Sequence, residues 1–148
     1  MKTAKSSLQF LGYEVQNMFF EKTSLGESID DSGTFEIAPD FRREINDTDD
    51  GEYSIELGVR VVPGEHNPNL NITALVVMVG KFKYSGEKMI DNATAILFPY
   101  LRATLSMMMV AANESPLILP TMNIVRLFES DKEQQKTVAE KTDPVDTN

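Results

Sequence analysis

Little in this chain could do covalent chemistry. His66 is the sole histidine and stands in a proline- and glycine-rich turn, PGEHNPN, while cysteine is absent. One imidazole without a thiolate or a second imidazole does not make a transition-metal site, and without cysteine no disulfide forms. No nucleophile–base pairing and no phosphate-cradling glycine loop can be read from the order of residues. The remaining candidates are carboxylates, eleven of which lie between Glu21 and Glu52 against Lys22, Arg42 and Arg43. A pair could be picked from them as acid and base. Carboxylates solvated in a loop, however, lack the burial that tunes such groups for proton transfer. The expectation is a protein that is not an enzyme and carries neither metal nor cofactor.

The same acidic run sets the charge. With 148 residues and a formal net charge of −9, the chain has the size of one domain and the wrong sign for nucleic acid, whose phosphates require a basic face. An acidic loop serves solubility, and it could also take a folded basic partner, with Glu21, Asp47, Asp49 and Asp50 as contacts. The absence of cysteine suits a reducing cytosol. Residues 1–7 carry two lysines but no apolar run of signal-peptide length, and are expected to form a short flexible arm. From residue 131 to residue 148 the chain has too little apolar material to fold by itself and is expected to be a disordered tail. The domain is expected to span residues 8–130.

The elements between these limits have clear periods. Leu8 to Glu21 is rich in aromatic and branched residues, with Leu11, Tyr13 and Val15 alternating with polar neighbours, and Tyr53 to Val62 is the clearest strand, where Tyr53, Ile55, Leu57, Val59 and Val61 share a face. Leu70 to Tyr84 is apolar on both faces from Leu75 to Val79, with Gly80 marking a bulge or a close backbone approach. Lys22 to Gly51 reads as a long irregular crossover with a short extended piece at Thr34–Ile37, pinned by Phe35, Ile37 and Phe41. Thr121 to Ser130 reads as a short second helix.

Asn92 to Ala112, NATAILFPYLRATLSMMMVAA, reads as a long helix with an N-cap at Asp91 or Asn92 and with Pro99 inside it. Its only charge is Arg102. At helical spacing Ile96, Tyr100, Met107 and Val110 fall on one side and Leu97, Leu101, Leu105 and Met108 on another, so no polar face remains. The helix is long enough to span lipid, but Arg102 near its middle and the scattered hydroxyls argue for protein cover instead. A subunit interface is expected through Ile96, Tyr100, Leu101, Leu105, Met107 and Met108. Met108→Asp is accordingly expected to split the oligomer.

The run ILFPYLRATLSMMM, followed by SPLILP (Ser115 to Pro120) and MNIVRLF (Met122 to Phe128), resembles the C-terminal half of the SecB family, the bacterial export chaperones. DGEYSIELGVRV (Asp50 to Val61), LQFLGYEVQNMFFE and FKYSG (Phe82 to Gly86) resemble its strands in the same order. The resemblance implies an α+β fold: a four-stranded antiparallel sheet, a long helix packed on it and a short C-terminal helix. It implies a homodimer or dimer of dimers in the cytoplasm that holds unfolded or extended polypeptides without ATP. The implied peptide-binding positions are Phe35, Ile37, Phe41, Leu119, Met122, Ile124 and Phe128. Where the family docks the SecA motor through carboxylates, the matching positions are Asn17, Glu21 and Leu75, so Glu21 alone keeps the charge and SecA docking is not implied. The chain is similar to small SecB-fold proteins of unknown function. The alternative expectation is an oligomeric adaptor for a folded basic partner, bound through the acidic crossover loop.

Overall fold

The computed structural model of the chain describes residues 5–23, 38–68, 70–114, 119 and 126–128. Four strands, β1 (Ser7–Lys22), β2 (Asp40–Asp49), β3 (Glu52–Val61) and β4 (Ile72–Ser85), precede one long helix, α1 (Ile90–Ala111). The strands form a single antiparallel sheet in the order β1-β4-β3-β2. Residues 126–128 are helical. The fold is that expected, α+β with one covered sheet face.

Alternation decides which face is covered. Tyr53, Ile55, Leu57 and Val61 of β3 and Ala74, Val76, Met78 and Phe82 of β4 are fully buried beneath α1, as period-two side chains on one face must be. The helix answers with Ala93, Leu97, Leu101 and Leu105, each fully buried, and with Met109. Gly80 is the point of closest approach, since a Cβ there would stand 3.0 Å from a methyl of Leu97. The irregularities fall instead in the two edge strands, in β1 between Phe10 and Gly12 and between Val15 and Asn17, and in β2 between Asp47 and Asp49. They bend the edge strands and discourage pairing with a neighbour.

The stretch expected to be irregular between Lys22 and Gly51 contains the fourth strand. β2 pairs with β3 from Asp40 opposite Arg60 to Asp49 opposite Glu52, and the hairpin turns at Asp50–Gly51. Its sequence, DFRREINDTD, has one apolar residue in five and so hides its period, because only Phe41 and Ile45 mark the inner face. The piece expected at Thr34–Ile37 lies outside the described residues, as do the arm at residues 1–4 and the tail at residues 131–148. What holds the start of β2 is Asn67, itself buried. Its side-chain amide accepts from the Ala38 N–H at 2.7 Å and donates to the carbonyls of Ala38 at 3.0 Å and Val62 at 3.1 Å. The amide thus pairs with both backbone groups of Ala38 as a strand would.

The helix begins differently from expectation. Its N-cap is Met89, in the left-handed region at φ 55°, with no side-chain cap, and Asp91 lies in the first turn. The Tyr53 hydroxyl donates to the carbonyl of Lys88, and the Lys88 ammonium donates to Asp47 at 2.8 Å. These two bonds fix the chain direction just before α1. Burial, with a smaller contribution from neighbouring Tyr84, pushes the Tyr53 phenol up to about 12.

Two expected outcomes follow. Asn67→Ala leaves buried backbone groups without partners and lowers the unfolding free energy by about 1–3 kcal/mol in denaturant titration. The Tyr53 phenol binds its proton more tightly folded than unfolded, so its stabilisation is complete below pH 10 and fades as pH climbs to about 12. Tyr53→Phe should flatten that alkaline decline, and an equally steep decline in the variant would refute the assignment.

Candidate functional site

β2 and the first half of α1 enclose an aromatic and cationic cluster, closed to solvent except at Phe41. Phe41, half-buried, packs on Phe98 with ring centroids 5.8 Å apart. Two residues along the same face of β2, the Arg43 side chain is only 6% exposed. One of its nitrogens donates to Asp91 Oδ1 and to Thr94 Oγ1, both at 3.2 Å. Its guanidinium carbon lies 4.3 Å from the centroid of the Phe128 ring. Thr94 in turn donates to the carbonyl of Ile90 at 2.8 Å, so the hydroxyl that receives Arg43 is itself aimed by the helix. A buried guanidinium needs an anion, and Asp91 supplies it here.

Of the positions expected to bind peptide, Phe41, Phe128 and Leu119 belong to or pack against this core, the last two each 1% exposed. Phe35, Ile37, Met122 and Ile124 lie outside the described residues. Arg43 and Phe98 were missed by sequence reasoning. Arg43 looked like one of the few cations diluting an acidic loop, and only its place on the inner face of β2 gives it meaning.

The acidic candidates are scattered rather than gathered. Asp47 is engaged by Lys88, whose ammonium that hydrogen bond holds above its usual lysine value. Asp49 closes the β2–β3 ladder and Asp50 sits in the turn. Glu21 is exposed on β1, opposite Thr73, at the other edge of the sheet. Those at 47–50 are strand and turn residues, not members of the solvated crossover expected. Among the described residues no cluster of acidic, histidine or cysteine side chains could hold a metal ion.

A second surface is apolar and open. Ile96, Tyr100, Met107 and Val110 of α1 are exposed, Met107 by 72%, and Tyr13, Val15 and Met18 of β1 are exposed on the same side of the sheet. Tyr100 joins the two, its ring 4.7 Å from Tyr13 and 5.6 Å from Phe10. Leu101 and Leu105, expected at an interface, are fully buried in the chain's own core, and Met108 is 9% exposed. The helix is long and apolar enough to cross a membrane by composition, yet 44% of that stretch is buried in the fold.

No family model matches the chain. Over 99 residues it is 29% identical to the protein-export protein SecB of Saccharophagus degradans, a match covering 62% of this chain and 59% of that protein. The chain thus spans less than two thirds of that relative. Over 136 residues it is 23% identical to the protein-export protein SecB of Magnetococcus marinus, covering 82% of each. Its fold superposes on a SecB-like chaperone of Mycobacterium tuberculosis, solved in complex with a peptide from an antitoxin, with a TM-score of 0.61. That match has 12% sequence identity and covers 78% of this chain and 90% of the other. The chain is SecB-like and divergent.

In the SecB-like fold the two sides of α1 predict opposite results for neighbouring methionines. Met108→Asp places a carboxylate in the core, which costs several kcal/mol, and is expected to abolish the cooperative thermal transition. The protomer rather than the assembly fails, correcting the expectation that this substitution splits an oligomer. Met107→Asp puts its charge on an exposed position and should leave the far-UV circular dichroism spectrum of the folded chain unchanged.

Proposed function

We propose that this SecB-like chain is a cytoplasmic, ATP-independent holdase that binds unfolded or extended polypeptides as a homodimer or dimer of dimers. The observation that carries the proposal is the likeness of the fold to a SecB-like chaperone solved with a peptide, and, among the expected peptide-binding positions that are described, Phe41 on β2 keeps part of its ring at the surface. Aromatic and apolar groups recognise extended chains without demanding a sequence, which is what a holdase needs. The M. tuberculosis relative was solved with a polypeptide ligand, which is consistent with this use of the fold.

Self-assembly is part of the proposal. Ile96, Tyr100, Ala103, Met107 and Val110 are exposed at alternating spacings of four and three residues, the seam along which one helix packs on another. A second copy presents the same seam and can cover it by two-fold symmetry. Client transfer to SecA is not included, because Asn17 and Leu75 stand where two of the family's docking carboxylates are expected.

The chain should suppress light scattering from a thermally unfolding client at near-stoichiometric ratio, with or without ATP. Phe41→Ser should weaken protection while retaining the sheet. A well-folded preparation that protects none of several clients would remove the holdase proposal.

A further inference from the structure

The chain holds eight methionines and no cysteine, so its oxidisable sulfur is all thioether. The fold sorts these side chains by exposure. Met78 and Met109 are at most 1% exposed and Met108 is 9% exposed, all within the core. Met107 is 72% exposed on the outer side of α1, and Met18 is 50% exposed on β1. Met18 stands opposite Val76, whose side chain is buried beneath α1, so it points to the helix side of the sheet. The two most exposed methionines among the described residues therefore border the same open apolar surface.

Resting on the self-assembly proposed above, we propose that Met107 and Met18 are peroxide-oxidation sites that decide whether a second copy can cover the seam. Hydrogen peroxide is the co-reactant. A lone pair of the thioether sulfur attacks one peroxide oxygen, and an S–O bond forms as the O–O bond breaks. The second oxygen leaves as water with both protons, so sulfur loses the two electrons that peroxide gains. The product is a sulfoxide, a polar acceptor in place of a flexible apolar group. On the open protomer water satisfies it. Beneath a second copy it loses that water, and Val15, Ile96 and Val110 of the covering surface bring no side-chain donor. Met107 meets peroxide in the dissociated protomer, so oxidation holds the chain in the form that reacts.

The experiment treats the full chain with hydrogen peroxide at protein concentrations below and above its association midpoint. Peptide mass mapping locates the added oxygen, sedimentation reads association, and circular dichroism checks the fold. Met107 and Met18 should gain oxygen while Met78, Met108 and Met109 do not, and Met107 should react more slowly where the chain is assembled. The oxidised chain should keep its native spectrum and associate at least about tenfold more weakly. Methionine sulfoxide reductases of both epimer specificities, with a thiol reductant, should restore the parent association. Met107→Gln should weaken association without oxidant. The double variant Met18→Leu, Met107→Leu, which keeps the apolar bulk without sulfur, should assemble as the parent does and stay assembled in peroxide. If it dissociates in peroxide as the parent does, another methionine is responsible and the proposal is overturned. Oxidised Met107 with unchanged association overturns it too, and leaves the assembly proposal standing. A monomer at every concentration before oxidation removes the assembly proposal and this one with it.

Discussion

A helix apolar on all sides has been laid on a sheet that can cover only one of them. That constraint governs the rest of the molecule. Leu97, Leu101 and Leu105 are taken up by β3 and β4, and Gly80 gives up its side chain so that Leu97 can sit against the strand. The opposite side, from Ile96 to Val110, keeps its apolar surface in a chain otherwise rich in carboxylates. Burial of apolar area is worth roughly 25 cal/mol per Å², so a continuous exposed seam of this kind is a standing driving force for association. The exposed Tyr13, Val15 and Met18 of β1 extend it onto the sheet.

The devices that place α1 are polar. Tyr53 and Asp47 hold Lys88, Arg43 holds Asp91, and Lys22 reaches Glu114 beyond the helix's other end at 2.9 Å. Each links a strand to a residue in or just beside the helix, while the oily contact between them has no directional preference of its own. The least exposed of these charges, Arg43, is also the one that meets an aromatic ring. One side chain therefore both ties β2 to the helix and packs against the ring of Phe128.

How much of this was legible depends on period and burial. The two faces of α1 could be sorted from spacing alone, since Leu97, Leu101, Leu105 and Met108 fall together and Ile96, Tyr100, Met107 and Val110 fall together. Which face turns inward could not, because both are apolar and only the geometry at Gly80 chooses. β3 was plain because its alternation is strict over ten residues. β2 was hidden because charge fills its outer face and reaches its inner face at Arg43 and Asp47, so a strand looked like an acidic loop. Asn67 and Arg43 were invisible for a related reason. Each is a polar residue whose role lies in partners tens of positions away, which no local period records.

Sedimentation equilibrium of the unmodified chain, over a wide range of protein concentration, tests the central claim most directly. The proposed covering of the open apolar seam by a second copy predicts a mass two or four times the 16.6 kDa of the single chain, at concentrations where the fold is intact. A monomer at every concentration, with native circular dichroism, would mean that the outer side of α1 tolerates water, and the account of this fold as one half of an assembly would be wrong.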